Sequence, residues 1–180
     1  MKAATIHSYS NESDIIKYEE VELPRITHKE VLVKVHASGV NHCDTDLRRG
    51  LFGVDSVMPH VMGVDAAGEV VEIGSEVNNF KVGDRVAPHF VLSCGFCDYC
   101  DDGRENICEN SDILGVTVWG GYAEYLKVRE NNLLKIPDHL SYDEAVAGQI
   151  PFSTAWEALI EVGKIRCGEN VLITAAGGGV

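Results

Sequence analysis

Four cysteines fall within fifteen residues, and this cluster constrains the fold more than any other feature of the sequence. They follow the spacing Cys-x2-Cys-x2-Cys-x7-Cys in a loop rich in glycine, aspartate and asparagine, which let a backbone turn tightly around an ion. Four thiolates around Zn²⁺ leave no open coordination position, so the predicted site is structural rather than catalytic. The predicted ligands are Cys94, Cys97, Cys100 and Cys108.

Disulfide bonds, free surface cysteines and an iron–sulfur cluster are the alternative uses of such a cluster. The other two of the six cysteines are scattered and no secretory signal is present, which argues against a disulfide framework. The spacing matches neither the bacterial nor the plant ferredoxin pattern. Zinc is therefore the predicted occupant.

The composition is that of a globular protein, with 180 residues, 45% apolar and 24% charged, enough to bury one core. A net charge of -13 would repel nucleic acid and anionic membranes, so neither is an expected partner. No run approaches the roughly 18 to 20 apolar residues of a bilayer span, and the expected location is the cytoplasm. Acidic residues around the cysteines also argue against nucleic acid binding: Asp98, Asp101, Asp102, Glu105, Glu109 and Asp112.

Short apolar runs separated by glycines predict a mainly β fold for most of the chain, either a compact sheet or a barrel. In the third run Val31, Val33 and Val35 alternate with other residues, as expected for a strand. The predicted strand regions are 3–9, 16–23, 31–40, 68–73, 85–88 and 122–128.

After Pro137 the pattern changes to helix. Ser141 and Glu144 form a capping box at one helix start, and a second helix is predicted over 153–162. The run 170–175 is predicted to be a fully buried parallel strand, and the glycines after it are typical of the start of a dinucleotide-binding unit. These glycines are Gly177, Gly178 and Gly179.

Five further motifs accompany the cysteine cluster. They are Gly39-Val40-Asn41-His42-Cys43-Asp44, Gly63-Val64-Asp65-Ala66-Ala67-Gly68, Gly83-Asp84-Arg85-Val86, Gly120-Gly121-Tyr122-Ala123-Glu124-Tyr125 and Phe152-Ser153-Thr154-Ala155-Trp156. In this order they resemble the medium-chain dehydrogenase/reductase superfamily, the zinc-containing alcohol dehydrogenases and their quinone and enoyl reductase relatives. The resemblance covers essentially the whole chain.

The resemblance implies a GroES-like catalytic domain over 1–149, a partly open β-barrel with a zinc lobe at 93–109. Residues 150–180 would form a connecting helix and the truncated start of an α/β Rossmann domain. The expected whole protein is a longer, homo-oligomeric oxidoreductase that uses NAD or NADP, and these 180 residues alone are expected to be inactive. Thr154 and the glycine cluster are the candidate cofactor contacts.

The sequence departs from zinc alcohol dehydrogenases at the catalytic metal. Their cysteine, histidine and cysteine ligands correspond here to Asn41, Val64 and Ile150, none of which suits zinc. The glutamate beside the family's histidine is Asp65. The resemblance therefore implies a retained scaffold with one structural zinc and no standard catalytic zinc.

Without that zinc, hydrogen-bond donors must stabilise the negative charge that hydride transfer builds on the substrate. The candidate catalytic residues are Asn41, His42, Cys43, Asp44 and Asp65. An enone or quinone spreads this charge over several atoms, so the leading predicted reaction is reduction of an activated double bond, quinone or ketone. The expected partner is a small carbonyl, enone, quinone or alcohol.

The sequence is also compatible with two other functions. A displaced catalytic metal could use His42, Cys43, Asp65 and His60, which would make the protein a conventional zinc alcohol dehydrogenase. A zinc-stabilised binding protein that has kept the fold without catalysis is the second. Structural roles are also open for two of the candidates, since Asn41 can hold a turn and Cys43 can be a small core residue.

Overall fold

The computed structural model describes residues 1–180, which form ten strands and four α-helices. The strands are Lys2–Ile6 (β1), Lys17–Glu20 (β2), Glu30–Ala37 (β3), His60–Val61 (β4), Ala67–Ile73 (β5), Arg85–Pro88 (β6), Val91–Leu92 (β7), Asp112–Ile113 (β8), Tyr125–Arg129 (β9) and Leu133–Lys135 (β10). The helices are His42–Arg48 (α1), Asp98–Asp101 (α2), Tyr142–Ala147 (α3) and Gln149–Trp156 (α4), with 3₁₀ turns at Glu105–Ile107 and Glu130–Asn132 and a π-helical turn at Glu157–Val162. No helix has the length and apolar character needed to cross a membrane.

Two antiparallel sheets form the body of the molecule. A five-stranded sheet has the order β10-β6-β5-β3-β9, and a three-stranded sheet has the order β2-β1-β4. The sheets are joined where Ala3 bridges to Ala123 and where the Ala4 N–H donates to the Tyr122 carbonyl over 2.8 Å. A small sheet of β7 and β8 flanks the cysteine loop. This arrangement confirms the mainly β fold predicted from the sequence.

Three apolar cores hold these layers together, the smallest of which consists of Ala67, Ala87, Ile136 and Val146. Under the five-stranded sheet lie nine buried side chains: Val31, Val33, Ala66, Val70, Val77, Val86, Leu126, Val128 and Leu133. A second core anchors α1 beside the three-stranded sheet and contains Ile6, Leu47, Met62, Val64 and Val116. Each fully buried valine or leucine contributes about 1.5 to 3 kcal/mol relative to exposure. The second core therefore fixes α1 against the loop between β4 and β5.

The first predicted helix of the C-terminal part is confirmed, together with its cap. The Ser141 Oγ accepts from the Glu144 N–H over 3.2 Å, and the Glu144 carboxylate accepts from the Ser141 N–H over 2.8 Å. The second helix begins earlier than predicted, at Gln149, because it follows α3 after a single glycine.

The strand predicted over 170–175 is not formed, which corrects the sequence prediction. Its side chains are exposed, among them Leu172 at 90% and Ile173 at 56%. A parallel strand obtains its hydrogen bonds and its burial from neighbouring parallel strands, and every strand pair in this chain is antiparallel. The apolar run therefore has no sheet to join.

Gly68 allows β5 to approach β3 closely. A Cβ at this position would overlap the Lys34 carbonyl oxygen and lie 2.8 Å from a methyl carbon of Val33. We expect Gly68→Ala to lower the free energy of unfolding by about 1 to 3 kcal/mol through overpacking. Urea denaturation followed by circular dichroism measures this loss. Gly177→Ala, at a glycine where an added methyl group would meet no other atom, is the control, and equal stability of the two variants would contradict the packing argument.

Candidate functional site

The zinc lobe, residues 93–109, brings the four predicted cysteine ligands together. Their Sγ atoms all lie within 4.8 Å of one another. The distances are 3.9 Å from Cys94 to Cys100, 3.5 Å from Cys97 to Cys100 and 3.8 Å from Cys97 to Cys108. Tetrahedral coordination with Zn–S bonds of about 2.3 Å requires S–S separations of about 3.8 Å. These three separations match those of a tetrahedral zinc site, and the four thiols together lie close enough to bind one ion.

Backbone N–H groups of the lobe favour the thiolate form of Cys94, whereas burial and the neighbouring thiols raise the pKa of Cys100 to about 11. The Cys94 N–H lies 3.3 Å from the Cys108 Sγ, a donor aimed at sulfur. Desolvation raises the pKa of the Cys94 thiol, but hydrogen bonds, that of the Phe96 N–H first among them, bring its pKa down to about 7. Gly95 and Gly103 turn the chain with φ of 77° and 71°, where a side chain would be strained. No other group of three or more His, Cys, Asp or Glu side chains in the chain is assembled in this way.

Removing one thiolate should open this closed site. We expect Cys97→Ser to lose zinc and to unfold more easily, by about 4 kcal/mol where free zinc exceeds the dissociation constant about 1,000-fold. Elemental analysis of zinc and thermal unfolding of the variant and the parent chain measure this effect. Cys167→Ser, at an exposed cysteine outside the lobe, serves as the control. Equal zinc content and equal unfolding temperatures of the Cys97 variant and the parent chain would contradict zinc binding by this lobe.

A second polar site surrounds the N-terminus of α1, and we call its four residues the Asn41 network. Asn41 is the N-cap of α1; its backbone N–H donates to Asp44 Oδ2 over 2.8 Å and its Nδ2 donates to Asp65 Oδ2 over 2.7 Å. The hydroxyl of Tyr122 also donates to Asp44 Oδ2, over 2.8 Å. The network therefore joins α1, the loop after β4 and the loop before β9.

The interior of this network favours neutral forms of its acids. Burial raises the pKa of Asp44, and burial together with the charge of Asp44 raises the pKa of Asp65. The pKa of Tyr122 is also raised, first by burial and then by the adjacent Asp44. Asn41 is half-buried and is the one member of the network with a side-chain amide.

The other two candidate catalytic residues differ in their access to this site. His42 is 87% exposed and its Nε2 lies 3.7 Å from Asp46, one turn along α1, so it stands outside the Asn41 network. Cys43 is half-buried, and burial followed by the charges of Asp44 and Asp65 raises its pKa to about 11. Its thiol therefore stays protonated and serves at most as a weak donor.

The three positions that correspond to catalytic zinc ligands do not bring together side chains that could bind a metal. Val64 is 2% exposed in the second core, and Ile150 packs against that core. His60 is buried, its Nε2 lies 3.0 Å from the Gly115 carbonyl, and burial lowers its pKa. His60 and the exposed His42 form no group with Cys43 or Asp65 that could hold a metal. These residues do not fit a displaced catalytic zinc.

The candidate cofactor contacts are not assembled into a nucleotide site within these residues. Gln149 fixes the start of α4 through two hydrogen bonds with Ala66, from its Nε2 to the carbonyl over 2.8 Å and from the Ala66 N–H to its Oε1 over 2.9 Å. Thr154 lies exposed on α4, and Gly177, Gly178 and Gly179 lie exposed beyond it. The strand that would precede this glycine turn is not formed.

Comparison with known proteins identifies the family. Residues 27–138 match the family described as "Alcohol dehydrogenase GroES-like domain". The chain belongs to this family. The match confirms the GroES-like barrel and the relationship to zinc-containing alcohol dehydrogenases that the sequence motifs predicted.

Individual relatives of this GroES-like chain are dehydrogenases and reductases. An alcohol dehydrogenase of Geobacillus stearothermophilus is 38% identical over 99% of this chain and 52% of its own length. A solved NAD-dependent alcohol dehydrogenase has a TM-score of 0.89 and 34% identity, covering 94% of this chain and 49% of that one. The quinone oxidoreductase of Pseudomonas syringae pv. Tomato DC3000 has a TM-score of 0.78 and 28% identity, covering 99% and 46%. The chain thus spans about half the length of the relatives it matches.

Proposed function

We propose that this chain is the substrate-binding part of an NAD(P)-dependent oxidoreductase that has one structural zinc and works without a catalytic zinc. The observation that supports this proposal is the Asn41 network, in which an amide and two carboxylates are joined by hydrogen bonds at Asn41, a position that the resemblance aligns with a catalytic zinc ligand. The preferred reaction is reduction of an activated double bond, a quinone or a ketone. Alcohol dehydrogenase relatives and a quinone oxidoreductase neighbour both support an oxidoreductase of small molecules.

The proposed reaction class follows from the hydrogen-bond donors of the Asn41 network. A bound reduced nicotinamide would supply the hydride, and negative charge would then develop on the substrate oxygen. Asn41 is the donor best placed to stabilise that charge, because it is half-buried whereas Asp44 and Asp65 are buried, and because Asp65 orients its amide. Charge delocalised over an enolate or phenolate requires less stabilisation than charge on an unactivated aldehyde oxygen.

The domain arrangement and the cofactor belong to the same proposal. Residues 1–149 would form the GroES-like domain, and 150–180 would lead into a nucleotide-binding domain that completes the site around Thr154 and the glycine cluster. The choice between NAD and NADP would lie in that further domain. The whole protein would be a cytoplasmic homo-oligomer acting on a small carbonyl, enone, quinone or alcohol.

A conventional zinc alcohol dehydrogenase is the second candidate, and the names of the relatives favour it. Its catalytic metal would need ligands that this chain does not bring together, since His42 faces solvent and His60 is bound to a backbone carbonyl. A binding protein without catalysis is the remaining alternative. Failure of the whole protein to bind either dinucleotide would support that alternative over both enzymes.

Asn41→Ala in the whole protein provides the test. We expect the rate of enone or quinone reduction to fall by about 10²- to 10³-fold, because one donor to the developing charge is lost, while the zinc content stays the same. Oxidation of NADH and NADPH is followed with an enone, a quinone and a primary alcohol as substrates.

The matched control for this test is Asn78→Ala, at an exposed asparagine in the loop between β5 and β6 and outside the Asn41 network. It should keep the parent rate with each substrate. Loss of zinc from the Asn41 variant, or alcohol oxidation that a chelator abolishes in the parent protein, would instead establish a catalytic metal.

A further inference from the structure

Two carboxylates lie buried in the Asn41 network without a cationic partner. Asp44 is 4% exposed and Asp65 is 2% exposed. Each has one oxygen, Oδ1, without a hydrogen-bond partner. The ion pairs of the chain, which join a basic nitrogen to a carboxylate oxygen within 4.0 Å, include neither residue. Buried charge is normally paired or neutralised, so these two acids require compensation of another kind.

The groups that face the two carboxylates are neutral or acidic. They are the backbone N–H and amide of Asn41, the hydroxyl of Tyr122, the thiol of Cys43, the backbone N–H groups of Gly63, Val64 and Ile150, and the two carboxylates themselves. The three backbone groups lower the pKa of the nearby acid, but none of them forms a hydrogen bond to either Oδ1. Burial has the larger effect, so the pKa values of both Asp44 and Asp65 are raised. These neutral donors offset only part of the cost of burying two negative charges, because neither Oδ1 has a hydrogen-bond partner.

Asn41 connects the two acids. Asp44 binds its backbone N–H and Asp65 binds its side-chain amide, so both carboxylates act on the same residue from the protein interior. Two ionised carboxylates behind this amide would repel any negative charge that develops in front of it. One proton on the pair removes half of that repulsion and leaves an acceptor for the amide.

We propose that Asp44 and Asp65 retain one proton between them, and that this proton keeps Asn41 effective as a donor to the substrate. The second half of this proposal rests on the proposed function, whereas the first half does not. Asp65 is then a positioning residue: it orients the Asn41 amide and sets the electrostatic potential behind it, and it does not itself touch the substrate.

The retained proton has a defined pH dependence. An acid whose pKa is higher in the folded state contributes its full stabilisation below its unfolded pKa, about 3.9 for aspartate, and loses it as pH rises through the folded pKa. The same rise in pH would weaken reduction, because the second charge appears behind Asn41. Asp65→Asn keeps the shape and an oxygen acceptor for Asn41 but removes this titration.

Carbon-13 NMR of the 180-residue chain, loaded with zinc and labelled at aspartate carboxyl carbons, tests the first half. We expect one carboxyl of the pair to stay protonated well above a pH of about 3.9, the pKa of an unperturbed aspartate. The late titration should vanish in Asp65→Asn and persist in the control Asp14→Asn, at an exposed aspartate. Ionisation of both buried carboxyls near that unperturbed value would overturn the proposal. A second bound metal that Asp65→Asn abolishes would also overturn it, because a cation would then balance the pair.

The pH profile of the whole protein tests the second half. In the parent, kcat for enone or quinone reduction should fall as pH rises through the late titration, and in Asp65→Asn this fall should be absent. Unchanged profiles in both proteins would overturn the link to Asn41 while leaving the proposed reduction intact. If the parent reduces no substrate, the proposed function fails with that link, and the NMR titration still decides whether the proton is retained.

Discussion

The hydrogen bond of 2.7 Å from the Asn41 amide to Asp65 joins two segments of the chain at the Asn41 network. One segment is the start of α1, and the other is the loop between β4 and β5, which the second core holds through Val64. Gly39 packs against the same carboxylate, since a Cβ there would lie 3.1 Å from Asp65 Oδ2. In zinc alcohol dehydrogenases a metal is expected to connect these positions. Here a hydrogen bond between side chains makes the connection.

The two polar sites of the chain favour opposite charge states of their acidic groups. In the zinc lobe four thiols lie close together near the surface, where a cation can convert them to thiolates and stabilise the loop without a hydrophobic core. In the Asn41 network two carboxylates lie in the interior with amide, hydroxyl and thiol neighbours, an arrangement that resists charge. The fold thus has a cysteine cluster suited to a structural zinc, while its interior polar site is held together by hydrogen bonds.

Local sequence patterns predicted the parts of the structure that depend on local interactions. Alternating valines identified β3, Ser141 and Glu144 identified the start of α3, and cysteine spacing identified the zinc lobe, because each signal lies within a few residues. The seven-residue helix α1 was not predicted, since a helix this short is stabilised by burial of Leu47 rather than by its own periodicity.

Contacts between distant residues could not be predicted in the same way. The bond from Tyr122 to Asp44 spans 78 positions, and no pattern near Tyr122 distinguishes a pocket or core aromatic from a residue that orders a buried acid. The exposure of His42 depends on which face of α1 meets the core. The apolar run at 170–175 carries a true strand pattern, but a strand forms only where other strands are present to pair with it.

Zinc per chain, measured by elemental analysis of the purified protein before and after mild chelation, tests the central claim most directly. All four cysteines of the lobe, and all three positions that correspond to catalytic zinc ligands, lie within these residues. The number of zinc ions per chain therefore tests both sites. A structural zinc with no catalytic partner predicts one zinc per chain that resists chelation. Two zinc ions, one of them labile, would contradict it and would make alcohol dehydrogenation the leading function.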